Sequence, residues 1–357
     1  MAEFLRGMWL IVTLDLRQRV RGVAWYVLLG VFFVIVGIVT AVLWVSTNAW
    51  DDGGGGIFST IVFFVLLLVT LVSPALSGNA INGERDAGTL ATTQVTLITT
   101  GQLLIGKFLA AWITGLAFLA AAMPFLVVAV ALGQVSLVTI AVSTLVLTIE
   151  LGVIAAIGVG LSGILNRPLF SVVVTYLVIA VLSIGTPIAF VLGGTATRST
   201  VTVTNVPIDW TATDNDAGPN DEVVCGEPTT YTYEVPRFDY YWGILAANPY
   251  VVLADAVPPR WNEYGSPTDA FGWLSTTVRS SQQAPELESF YDECASWNPA
   301  EGDDESYPTQ RDIYDSTIPS WFVGLAIHIV LGAGLMFFAY RRTDTPAGRL
   351  PKGARIA

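Results

Sequence analysis

Few side chains in this sequence have both the chemistry and the spacing for catalysis. The single histidine, His328, cannot build a His-rich zinc site, and the two cysteines, Cys225 and Cys294, form no cluster that would compensate. For His328 the main reading is packing or hydrogen bonding between helices, with a membrane-embedded Ser–His pair as the alternative. Two glycine patterns mimic phosphate cradles. Gly101 to Phe108 has the Walker A spacing with Lys107 in place, but Phe108 stands where a Mg-binding Ser or Thr belongs, and no apolar strand precedes it. Gly158, Gly160 and Gly163 match the dinucleotide fingerprint inside an apolar run that leaves no room for a βαβ unit. The many carboxylates after residue 195 show no pattern that singles out an acid and a base. On this reading the chain has no catalytic, cofactor-binding or metal-ligating residue and is not itself an enzyme.

Glu150 is the exception worth placing. It lies within a long apolar run, where an ionisable group costs at least about 2.5 kcal/mol and usually faces a bundle interior or a cavity. Three roles are open for it: lining a substrate path, bonding to polar residues of a neighbouring helix, or sitting near an interface if the span is shifted.

The surroundings of these residues are those of a membrane protein. Of 357 residues, 53% are hydrophobic and only 13% charged, with a mean hydropathy of +0.60. A water-soluble chain carries about a quarter of its residues charged, so this apolar excess must face something other than water. Residues 22–50, 53–83, 108–149, 168–197 and 316–340 contain no Asp, Glu, Lys or Arg. Measured against the roughly 20 residues that cross a bilayer, and with the third run broken at Gly133-Gln134, they give six spans. The expected limits are about 23–46, 57–77, 107–132, 136–165, 168–194 and 318–340. The first run is too long for the apolar core of a signal peptide and lacks a small-residue cleavage site, so it is expected to remain in the protein.

Charge is distributed unevenly. Between Thr195 and Pro319 lie 21 of the 29 acidic residues and five of the 17 basic ones, a net charge of −16 for that stretch. The other twelve cations, among them Arg6, Arg17, Arg85, Lys107, Arg167, Arg341 and Arg342, fall on one side of a six-span arrangement. The positive-inside rule then puts both termini in the cytoplasm. Asp51, Asp52 and the acidic stretch face outward, where oxidising conditions favour a disulfide between Cys225 and Cys294. Two lysines against fifteen arginines point to a GC-rich bacterial genome. No feature suggests nucleic-acid binding.

The expected fold is an all-α polytopic membrane protein of six transmembrane helices. An amphipathic helix over residues 1–21 would lie in the cytoplasmic interface, its Phe4, Leu5, Trp9 and Ile11 interleaved with Arg6, Asp15, Arg17 and Arg19. Residues 195–317 are too long for a loop and form a mixed α/β extracytoplasmic domain between helices five and six; residues 341–357 are a cytoplasmic tail. Thr200 to Asn205 and Thr229 to Glu234 alternate like strands, Tyr240 to Val257 is apolar enough to touch the membrane surface, and Asn298 to Glu305 reads as an acidic, mobile loop. After the second span the composition predicts one short helix, then a turn at Gly101 before the third span starts near Lys107. Gly152, Ala156 and Gly160, at four-residue spacing, would let another helix approach the fourth span closely. Gly152 lies about 200° around that helix from Glu150, so close packing and carboxylate would occupy different faces.

The run Asn82-Gly-Glu84-Arg85-Asp86-Ala-Gly88-Thr89-Leu90, followed by Gly106-Lys107, resembles the Glu-Arg-Glu-x-Gly-Thr signature of permease subunits of type-2 ABC exporters, with Asp86 at the third acidic position. The likeness extends to the N-terminal amphipathic helix, the six spans, the large segment between the last two, and Asn248-Pro249 within it. It implies a membrane-spanning permease of an ATP-driven exporter in the cell membrane, dependent on a separate ABC ATP-binding subunit that holds ATP and Mg, and paired with a second copy or a related permease. It also implies that segment 82–93 is a coupling helix, with Glu84, Arg85 and Asp86 as charged contacts, Gly88 as a turn and Thr89 as a cap. Two other readings remain: a membrane-anchored ligand-binding or sensing protein, and, more weakly, a proton-coupled secondary transporter using Glu150.

Overall fold

The computed structural model of the chain describes residues 2–48, 55–88, 98–133, 135–213, 223–294 and 308–343. The chain begins with α1 (Ala2–Arg21) and bends at Gly22 into α2 (Val23–Asn48). Then come α3 (Gly55–Ser77), the short α4 (Asn82–Asp86), α5 (Thr100–Gly133), α6 (Leu137–Ile164) and α7 (Pro168–Ala196), the last containing a π turn at Val181–Gly185. Strands β1 (Arg198–Val206) and β2 (Thr229–Pro236) follow, then α8 (Trp242–Leu245), α9 (Pro249–Ala256), α10 (Ala270–Ser280), β3 (Glu288–Asp292), α11 (Gln310–Ser316) and α12 (Trp321–Thr343). Among the described residues six helices, α2, α3, α5, α6, α7 and α12, are long and apolar enough to cross a membrane, and the rest of the fold is the 20-residue α1, short helices and one small sheet.

At the centre stands α6. Every residue from Glu150 to Gly163 is buried, so this half of the helix is enclosed by its neighbours on all sides. Small residues make that possible. A methyl group at Gly160 would come 2.8 Å from Leu335 Cβ of α12, and one at Gly163 would come 2.7 Å from Ala339 Cβ. Gly152 instead lies under Trp112 of α5, whose indole donates to the Thr148 carbonyl at 2.9 Å. The expected close approach is therefore present but split between two neighbours. At the other extreme α2 buries little beyond Phe32 and Val36, with Phe32 set edge-on against Phe118 at 5.0 Å.

Helix α5 begins at Thr100, earlier than the expected start near Lys107, and Gly101 lies inside its first turn. The cause is a capping exchange: Thr99 N donates to Gln102 Oε1 at 2.7 Å while Gln102 N donates to Thr99 Oγ1 at 3.3 Å. The Walker-like residues 101–108 are thus helical, and Gly106 serves to admit Ile11 of α1.

The sheet has the order β2-β1-β3. β1 is antiparallel to β2, with Val203 opposite Tyr231, and parallel to β3, with Val203 opposite Ser289. The two alternating segments are strands, as their pattern implies; β3 is the member the sequence reading lacked. Cys225 and Cys294 form a disulfide, Cα to Cα 5.6 Å, that fastens the chain before β2 to the chain after β3. The apolar stretch within Tyr240 to Val257 is inward-facing: Val251, Val252, Leu253 and Ala254 of α9 are almost fully buried. Asn298 to Glu305 lies outside the described residues, as do Asp51, Asp52 and most of the 341–357 tail.

Candidate functional site

The charged motif after the second span folds into α4, and this helix is fixed to α6 from both directions. Ser162 Oγ of α6 accepts from the amides of Ile81 at 2.9 Å and Asn82 at 3.1 Å, supplying acceptors that a five-residue helix cannot supply itself. In return Arg85 Nη1 donates to the Leu165 carbonyl at 3.0 Å, at the carboxyl end of α6, and to Asn82 Oδ1 at 2.9 Å. A cation at that end of a helix meets free carbonyls and the negative end of the dipole. Gly88 takes φ of +69°, in the left-handed region that glycine occupies without strain, and closes α4 with its amide on the Arg85 carbonyl.

Lys107 of α5, 7% exposed, joins this unit to α1. Its ammonium lies 2.5 Å from Glu84 Oε1 and 2.8 Å from Asp15 Oδ1, and Arg19 approaches the other Asp15 oxygen at 3.4 Å. Gln102 Nε2 adds bonds to the Glu3 and Phe4 carbonyls. Glu84 and Arg85 are thus occupied within the chain. A charge reversal at either would lose these bonds and disturb the packing of α4 against α5 and α6. Asp86 is exposed, and Thr89 lies outside the described residues.

The second polar assembly lies midway along α6. Glu150 is 1% exposed, and its two carboxylate oxygens lie 2.9 and 3.0 Å from Nδ1 of His328 on α12, itself 1% exposed. The carboxylate faces the bundle interior on a face distinct from that of Gly152. The other imidazole nitrogen, Nε2, donates to the Ala247 carbonyl at 2.9 Å. Ala247 precedes Asn248, which caps α9 by accepting from Tyr250 N at 2.9 Å and donates through Nδ2 to the Ser183 carbonyl at 2.8 Å and Thr186 Oγ1 at 3.0 Å. Ser183 lies in the π turn of α7, whose widened backbone presents that carbonyl sideways.

A third junction ties the sheet-bearing end to α12. Asp255 of α9 accepts from Arg279 Nε at 2.6 Å, from Ser320 N at 2.5 Å and from Trp321 N at 3.0 Å, so a buried carboxylate caps the amino end of the last span. Arg279 also lies 3.7 Å beneath the Tyr314 ring, and burial pushes the Tyr314 phenol above its ordinary range. In the segment after β2, Arg237 grips Asp239 at 2.6 and 2.8 Å, holding that carboxyl below the usual carboxylate range.

The sequence singled out Glu150 but not its partner. The signal was present: two ionisable side chains in otherwise uncharged spans have only each other to satisfy them. Lys107 as a bridge and Ser162 as a remote cap carry no such signal, because their partners are set by helix packing. No grouping of three or more His, Cys, Asp or Glu side chains suited to a metal occurs among the described residues. A scan against models of known protein families finds none that matches this chain, and a search of curated proteins finds no relative.

Proposed function

We propose that the chain is the membrane-spanning permease subunit of an ATP-driven type-2 ABC exporter, coupled to a separate ATP-binding subunit and paired with a second permease. In this reading both termini, α1 and α4 are cytoplasmic, α1 lies in the membrane interface, and the sheet-bearing domain is outside. The observation that carries it is the welding of α4 to the carboxyl end of α6 by Ser162 and Arg85. A push on α4 has no slack to be lost in. It passes into α6, which is packed on all sides, and about 18 Å further along reaches Glu150, where α12 and the α9 turn are attached. Such a linkage is what alternating access driven by a partner's ATP cycle requires. ATP and Mg would bind the partner; this chain would supply the path and the lever.

Asp86 is the test position, because it is the exposed charge of α4. Both native cysteines are in the disulfide, so Asp86→Cys adds a lone thiol. The thiol should cross-link an ATP-binding subunit in the intact complex, and Asp86→Lys should lower transport-linked ATP hydrolysis while leaving stability within about 0.5 kcal/mol. A complex that transports substrate without any ATPase bound would overturn the reading. The exposed aromatics of the sheet, Tyr231, Tyr233, Phe290 and Tyr291, favour a second reading as a membrane-anchored recognition protein, which the same purification distinguishes.

A further inference from the structure

The surroundings of His328 fix how many protons it and Glu150 hold between them. Nε2 faces the Ala247 carbonyl, which can only accept, so Nε2 must carry a hydrogen. Nδ1 faces two carboxylate oxygens at 2.9 and 3.0 Å. A neutral imidazole has a single N–H, already used at Ala247, and an ionised carboxylate has none. The short contact therefore needs one more proton, carried either by the imidazolium or by the carboxyl. We propose that Glu150 and His328 form a binding site for a single proton, and that this proton latches the Ala247–Pro249 turn and α12 onto α6. Its loss to water sets a carboxylate lone pair against an imidazole lone pair, and the contact opens.

No other charge stands in for it. The small cavity beside the pair is completed by Thr70, Ser183, Pro249 and apolar side chains. Helices α3 and α7 carry no charged residue, α6 carries only Glu150, and α12 carries Arg341 and Arg342 in its last turn. On α5, Lys107 is held between Asp15 and Glu84. Of the phenols on these elements and on α9, Tyr250 lies 3.4 Å from Thr70 Oγ1, Tyr176 donates to the Leu71 carbonyl, and Tyr340, 39% exposed, stands about three turns beyond His328 on α12. Asp255, at the far end of α9, is taken by Arg279, Ser320 and Trp321. The site stands whether or not the partner is an ATPase; if it is, the proton decides when the lever is attached to the outer domain.

One histidine in the whole chain makes the test direct. In full-length protein labelled with 15N-histidine and held in lipid nanodiscs, the two ring nitrogens report His328 alone, and infrared difference spectra report a protonated carboxyl. The expected result at neutral pH is one proton in the Nδ1 contact by one readout or the other, with Nδ1 becoming a pure acceptor in Glu150→Gln. A bare Nδ1 opposite an ionised Glu150 overturns the site. Amide exchange over Ala247–Ala256, followed over the same pH series, should rise roughly tenfold as the proton leaves, and stay flat if it does not leave. Exchange that stays flat while His328 loses its proton overturns the latch.

Discussion

The α1–α4–α5 cluster and the Glu150–His328 pair are built from similar charges but organised on different terms. In the cluster Lys107 has two carboxylates, Asp15 has two cations, and Glu84 is 28% exposed. Each group has an alternative partner or some access to water. In the pair each group is 1% exposed; among the described residues Glu150 has His328, and His328 has Glu150 plus the Ala247 carbonyl. The first arrangement keeps its charges satisfied when one contact breaks. The second has two settings, made or broken, which suits a switch better than a hinge.

The comparison predicts a graded series of losses. His328→Ala should have the largest effect, about 3–5 kcal/mol, because it strands a carboxylate in the bundle, and replacing both partners together, Glu150→Leu with His328→Phe, should recover most of it. Denaturant unfolding of the three variants in detergent gives the coupling directly, and a double variant no better than His328→Ala would erase the distinction. Lys107→Ala should cost less, about 1–3 kcal/mol, since Arg19 remains beside Asp15 and Glu84 keeps some water. Glu84→Gln should fall below about 1 kcal/mol and shrink further in high salt, whereas the His328 effect should be salt-independent. An equal salt response at both sites would show that the pair is not sealed from solvent.

The division between what was legible in the sequence and what was not follows the range of the interactions. The apolar helices and the two Thr-rich strands depend on local composition and periodicity, and those can be read one segment at a time. Glu150 was recognisable as costly because cost depends on the bilayer and not on a partner. The start of α5 was missed although Thr99 and Gln102 have capping spacing, because the Thr-rich approach masked it. Ser162 capping α4 from 80 residues away, Asp255 capping α12, and β3 joining the sheet beside β1 arise only when distant segments meet. The inward partners of Glu84 and Arg85 were not legible for the same reason: Lys107 and the Leu165 carbonyl reach them only when distant segments pack.

The 178 residues between Glu150 and His328 also set an order of events during synthesis. At about 5–20 residues per second, α6 leaves the ribosome roughly 10–35 s before the histidine that completes it. For that interval Glu150 is in the membrane without its partner, while the whole sheet-bearing domain with both cysteines is still being made. The bundle can therefore close around α6 only after the sheet-bearing segment has been made, so α12 acts as the closing bolt of assembly. A chain truncated before α12 would leave Glu150 without the imidazole that satisfies its carboxylate.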